Sequence, residues 1–112
     1  MTTENIKTRI YKAIDGWTAE SITKLEGTDK YLNVTTTKGI NGRLYTSASA
    51  VEIEGHIVRF AVFSDFRKTL KVYDKGIRAT EKTITALHTE ALQGLQAIIE
   101  EAKGFYAPAV QG

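Results

Sequence analysis

The sequence predicts an α+β fold: a twisted antiparallel β-meander of five or six strands with one long C-terminal α-helix packed on one face. Two observations carry this reading. From Thr80 to Lys103 apolar residues recur at steps of three and four as Ile84, Leu87, Ala91, Leu95, Ile98 and Ala102, with His88, Leu92 and Ile99 flanking them. That spacing draws one wide stripe along an amphipathic helix. Before Thr80, short β-branched and aromatic runs alternate with glycine-containing turns, the pattern of strands joined by reversals. A helix with such a stripe needs a surface to cover, and the strands supply it.

The elements follow in order. Ile6, Thr8, Ile10, Lys12 and Ile14 alternate as a strand does, although Ile6, Ile10, Ile14 and Trp17 also fit helical spacing. The Asp15-Gly16 step favours a hairpin over a first helix capped by Thr3 and ended by Gly16. Its expected register pairs Ile14 with Trp17, Ile10 with Ser21 and Ile6 with Leu25. Glu26 to Asp29 is a second turn, and Tyr31 to Thr37 a strand. Lys38 to Arg43 contains an Asn-Gly step and reverses the chain. Leu44 to Ile53 is a strand with Leu44, Thr46, Ala48 and Ala50 on one face and Tyr45, Ser47, Ser49, Val51 and Ile53 on the other. His56 to Phe63 is apolar nearly throughout, as a central strand would be. Lys68 to Tyr73 is the last strand, with Leu70 and Val72 expected to face inward. Thr80 is the expected N-cap of the helix, Gly94 a weak point that permits close approach of a neighbour, and Gly104 the stop. The expected core is Ile10, Trp17, Leu25, Val34, Leu44, Val51, Val58, Phe60, Val62, Leu70, Ile84, Leu87, Ala91, Leu95 and Ile98.

Bulk properties narrow the chemistry. The 112 residues suit one domain, with 42% hydrophobic and 25% charged residues, an ordinary composition for a globule with one core. With no cysteine, disulfides, thiolate zinc sites and thiol nucleophiles are excluded. The N-terminus shows no basic stretch leading into an apolar run, and no segment approaches a membrane span, so a cytoplasmic protein without membrane contact is expected. Net charge is +2, distributed as +4 over residues 1–78 and −2 over residues 79–112. No catalytic set stands out. His56 lies beside the Glu54-Gly55 turn. His88 lies at the margin of the helical stripe, where a buried imidazole bonded to a strand accounts for it. Ser47 and Ser49 lack a glycine elbow, and Glu52 and Glu54 read as solvated strand positions. No enzyme activity, cofactor or metal is expected.

The stretch most suggestive of function runs from Phe60 to Arg78. Arg67, Lys68, Lys71, Lys75 and Arg78 place five cations in 12 residues, opposed only by Asp74. Phe60, Phe63, Phe66 and Tyr73 interleave with them, and Arg43 and Arg59 extend the patch across neighbouring strands. The commoner origin of such a stretch is a solvated edge strand whose lysines guard against aggregation and whose rings are core. The functional reading is a site for single-stranded nucleic acid: cations neutralise phosphates while outward-facing rings among Phe63, Phe66 and Tyr73 stack bases. The alternative is a protein-interaction or assembly module using the helix and the tail after Gly104. The breadth of the helical stripe also leads to the expectation of a homodimer. A curved antiparallel sheet with a C-terminal helix is similar in layout to the single-strand-binding whirly proteins; no motif falls at matching positions, and no residue is carried over.

Overall fold

The computed structural model describes residues 7–55, 57–59 and 65–106, with the backbone alone for Glu54, Ile57, Val58 and Arg59. Six strands, β1 (Lys7–Ala13), β2 (Gly16–Lys24), β3 (Tyr31–Lys38), β4 (Leu44–Glu54), β5 (Ile57–Arg59) and β6 (Arg67–Val72), precede two helices, α1 (Glu81–Leu92) and α2 (Leu95–Tyr106). Among the described residues every strand pairing is antiparallel. The sheet runs β1-β2-β3-β4, and β4 is then met by β5 at one end and by β6 along the rest of its length. Among the described residues β1 and β6 are edges. The expected α+β class and antiparallel sheet are observed.

Both helices pack on one face. Beneath α1, Ala19, Leu44, Tyr73 and Ile84 form one buried cluster, with Trp17, Ile77, Ala79 and Leu87 partly buried around it. Beneath α2, Leu25, Leu32, Val34, Ala48, Ala50 and Phe66 meet Leu95, Ile99 and Ala102. A polar chain lies where the two clusters meet. Thr8 Oγ1 bonds Ser21 Oγ and Ser21 Oγ bonds His88 Nε2, each at 2.8 Å. On the other side of the ring, His88 Nδ1 bonds Thr36 Oγ1 at 2.8 Å, Thr36 bonds Thr46 at 2.7 Å, and Thr46 bonds the Tyr73 hydroxyl at 2.9 Å. Side chains from β1, β2, β3, β4, α1 and the residue after β6 are tied into one line. A buried imidazole on a helix stripe is tolerated because both ring nitrogens have partners.

Several expectations need correction. The long helix is broken at Gln93-Gly94 into two helices of 12 residues each. Thr80 is the N-cap as expected, its Oγ1 accepting from Thr83 N at 3.2 Å. No neighbour presses on Gly94: a Cβ there would find only Ala91 O, at 3.9 Å. The break therefore reflects glycine's poor helix propensity. Gly104 does not stop α2, because Tyr106 anchors its end. The Tyr106 hydroxyl donates to Asp65 Oδ1 at 2.8 Å and accepts from Phe66 N at 2.9 Å, and burial pushes this phenol's pKa up.

The first hairpin is shifted by two residues. Ile10 pairs with Ala19, Lys12 with Trp17 and Ala13 with Gly16, leaving Ile14-Asp15 as the loop. Ile14 is fully exposed at the tip, and Ile10 is exposed too. At the other edge, Lys71 pairs with Thr46 but Thr69 pairs with Ser47. This bulge inserts Leu70 as an extra residue and reverses the alternation beyond it. Tyr73 turns inward and Val72, 49% exposed, turns outward, against expectation. Finally, only Ile57–Arg59 of the expected strand His56–Phe63 is described as strand. This described part pairs with Glu52–Glu54 at the end of β4; His56 and residues 60–63 of the expected strand lie outside the described residues. The expected core residues Phe60 and Val62, and the side chain of Val58, lie outside the described residues.

Because Gly94 has a negative φ and open space around it, Gly94→Ala is expected to raise stability by about 0.5–1 kcal/mol. Urea denaturation measures it; an unchanged or lowered midpoint would show that the break between the helices is needed.

Candidate functional site

Alternation along the strands fixes which residues share the face away from the helices, and the register arranges them in rows across the sheet. One row is Tyr11, Thr18, Thr37, Tyr45, with Thr18 and Thr37 joined hydroxyl to hydroxyl at 2.8 Å. The next is Arg9, Glu20, Thr35, Ser47, Thr69. The third is Lys7, Ile22, Asn33, Ser49, Arg67, and the fourth Lys24, Tyr31, Val51. The centre of this face is thus mostly short hydroxyl and amide side chains, with Ile22 among them, and Thr18, Asn33 and Val51 on it are buried. Tyrosines and cations stand around it: Lys7, Arg9 and Tyr11 on β1, Arg67 on β6, Lys24 and Tyr31 towards one end, and Tyr45 at the other.

The charges on this face are unevenly committed. Arg9 binds Glu20 at 2.8 Å and its guanidinium lies 4.8 Å from the centre of the Tyr11 ring. Glu20, the one carboxylate in these rows, is thereby occupied. The hydrogen bond to Glu20 raises the Arg9 pKa further, so it remains charged. Burial and the neighbouring Glu20 raise the Tyr11 pKa, so this phenol remains neutral at physiological pH. Lys24 Nζ lies 4.8 Å from the Tyr31 ring centre. Tyr45 sits over the β3–β4 turn, where a Cβ on Gly39 would come within 3.2 Å of its ring; glycine there leaves the ring its place. Asn33 is 5% exposed and its Oδ1 has no hydrogen-bond partner.

The sequence-predicted patch is divided by the fold. Arg67 alone among its β6 cations belongs to the face away from the helices. Lys68 points to the helix side and pairs with Glu101 of α2 at 2.8 Å, and Lys71 lies on the helix side with its Nζ 5.4 Å from the Tyr73 ring centre. Lys75 and Arg78 are exposed in the connection to α1. Arg43 is half-buried, its Nε donating to Tyr73 O at 2.8 Å. Phe66 and Tyr73 are each 5% exposed and belong to the two core clusters, so neither offers a stacking face. Phe63 and the side chain of Arg59 lie outside the described residues. The rings that do stand among cations are Tyr11, Tyr31 and Tyr45. Their signal was present as alternate positions on three strands, but it needed the register to show that they share a face.

His88 is consumed in the core, and burial lowers its pKa, with only a smaller opposing pull from Glu20. Among the described residues no group of three or more His, Asp or Glu is placed to hold a metal ion, and no helix is long and apolar enough to cross a membrane. Comparison with protein-family models, with curated proteins and with solved structures finds no match for the chain.

Proposed function

We propose that this protein is a non-enzymatic module that binds single-stranded nucleic acid on the face of its sheet away from the helices. The observation that carries the reading is the arrangement of that face: cations at both edges, three tyrosines around the margin, and a floor of small polar side chains whose one carboxylate is already paired. Such a surface suits a polyanion with stacking bases, because the edges meet phosphates and the phenol rings meet base faces. The reading keeps Arg67 from the sequence-predicted patch and replaces Phe66 and Tyr73 by Tyr11, Tyr31 and Tyr45.

Two double charge reversals separate this face from the β6 edge in general. Lys7→Glu with Arg67→Glu is expected to reduce affinity for a single-stranded oligonucleotide more than ten-fold, since each lost phosphate contact weakens a salt-dependent term. Lys68→Glu with Lys71→Glu, on the helix side, is expected to change it only slightly. Fluorescence polarisation across a salt series reads both. If the second pair matters as much as the first, the face away from the helices is not the site.

A second reading, a protein-interaction module, is favoured by one feature. Phe105 is 53% exposed at the end of α2, edge-to-face with Phe66 and Tyr106 at 5.8 and 4.8 Å. Truncation from Gly104 onward would also remove the Tyr106 anchor, so Phe105→Ala is the cleaner probe of that reading.

A further inference from the structure

We infer that one end of the sheet is a docking tip for an anionic lipid surface, with Ile14 and Ile40 inserting among the headgroups. The inference stands apart from the nucleic-acid reading, because neither residue belongs to the rows of that face. Strands β1 and β3 run one way and β2 and β4 the other, so the β1–β2 and β3–β4 turns project from the same end. β6 returns the chain to that end too, where Tyr73 N donates to Leu44 O at 2.9 Å. Asp15 of the first turn, Lys38 and Gly42 at the second, and Arg78 of the connection to α1 line one cleft, so the three segments are neighbours.

Ile14 and Ile40 stand at the two turns with relative exposures of 101% and 109%, so nothing in the described chain covers either side chain. Turns ordinarily carry glycine, asparagine, aspartate or serine, and an apolar side chain left wholly in water gains nothing from the fold. A single exposed isoleucine is commonplace. Two at adjacent tips, with Val72 49% exposed beside the second, make a shared apolar feature. The surroundings are basic. Lys12, Lys38, Arg43, Lys75 and Arg78 lie at this end against Asp15 and Asp74, and the first turn of α1 adds one of each sign, Glu81 and Lys82. Around the β2–β3 turn at the far end, Glu26, Asp29, Glu52 and Asp65 outnumber Lys24 and Lys30. Charge is thus graded along the strands, and an anionic surface draws the molecule tip first. A projecting tip suits a soft acceptor. A bilayer interface yields around two isoleucines without a preformed socket and presents phosphates to the cations, whose long stems lie along the apolar boundary. A protein partner would need two sockets at the spacing of the turns. The expectation of no membrane contact rests on the lack of a span, and docking by turns needs none.

Co-sedimentation with vesicles of equimolar phosphatidylcholine and phosphatidylserine tests the inference, with phosphatidylcholine alone as the neutral reference. The wild-type chain is expected to partition onto the anionic vesicles in a salt-sensitive manner, and only weakly onto the neutral ones. Ile14→Ser with Ile40→Ser should lower that partition roughly ten-fold or more. The thermal midpoint of this variant should hold, since the fold covers neither side chain. Lys38→Glu with Arg78→Glu should also weaken the partition markedly. A wild-type chain that ignores anionic vesicles at low salt overturns the inference and leaves the nucleic-acid reading standing. Undiminished partition of the isoleucine variant overturns insertion of the turns, even where charge holds the chain to the surface. A chain that ignores vesicles but self-associates through Ile14 and Ile40, seen by sedimentation velocity of the same variant, overturns it in favour of a second copy of the chain.

Discussion

Gly16→Ala is expected to destabilise the protein by about 3 kcal/mol or more and to lower its melting temperature by roughly 10 °C. Two penalties coincide at this position. Gly16 opens β2 at φ +132°, a backbone conformation that residues with a Cβ rarely adopt, at a cost of about 1–3 kcal/mol. In addition, a Cβ there would stand 2.6 Å from Ala79 Cβ and 2.9 Å from Ala79 O. Neither atom can yield cheaply. Ala79 O accepts the backbone N–H of Trp17 at 2.8 Å, so pushing it away breaks a bond that ties the first hairpin to the chain entering α1. Ala79 also precedes the Thr80 cap, so the push is transmitted to the helix start. Gly27→Ala and Gly42→Ala serve as controls. These glycines have φ of +85° and +84° and nothing within 4 Å of an added Cβ, so their cost should be that of the backbone conformation alone, about 1 kcal/mol. Urea denaturation of the three variants compares them. A Gly16→Ala chain no weaker than its controls would mean that the contact with Ala79 relaxes freely and contributes nothing.

Gly16 also shows how far the sequence could be read. Asp15-Gly16 correctly announced a hairpin, because few residues other than glycine accept a positive φ. It did not announce the register, because Gly16 serves the approach of Ala79 and not the loop tip, and Ala79 is distant in sequence. The same reason hid the bulge at Leu70: a register shift between two strands leaves no mark in either one, yet it exchanged the directions of Val72 and Tyr73. What was legible depended on local period. Leu44, Thr46, Ala48 and Ala50 do face the helices, with Tyr45, Ser47 and Ser49 on the other side. The stripe from Ile84 to Ala102 does cover the sheet, although Gly94 interrupts it. Its breadth, which raised the expectation of a dimer, is taken up by two separate seats on one sheet, α1 over Ala19 and Leu44 and α2 over Leu32 and Val34. The candidate site was least legible. The basic run Arg67 to Arg78 was conspicuous because its residues are neighbours in the chain, whereas Tyr11, Tyr31 and Tyr45 become neighbours only through three pairings.

The second large effect centres on His88. Its imidazole is 2% exposed and is the one basic group in the line from Thr8 to Tyr73. A neutral imidazole offers one donor and one acceptor, which suits a line of hydroxyls that each pass a hydrogen bond onward. Burial sets the folded pKa below the ordinary value of 6.5, and Glu20 only partly offsets this. The unfolded chain therefore binds the proton more readily than the folded one. Between the folded and unfolded pKa values stability rises with pH, so the contribution of neutral His88 is complete above about pH 6.5 and is lost on acidification, at up to about 1.4 kcal/mol per pH unit. His88→Leu should reverse the balance. At pH 7.5 it should cost about 2–3 kcal/mol, because the buried hydroxyls of Ser21 and Thr36 each lose a partner. Its stability should then fall less steeply than that of the wild-type chain as pH drops from 6.5 towards 5, since the protonation that favours unfolding is gone. Adding Ser21→Ala and Thr36→Val to His88→Leu should recover part of the loss, because the line then ends at Thr8, which is exposed, and at Thr46, which keeps the Tyr73 hydroxyl. Guanidinium denaturation at several pH values measures all three chains. Parallel pH profiles for the wild-type chain and His88→Leu would show that His88 titrates alike in the folded and unfolded states, and that the line of hydroxyls does not hold it neutral.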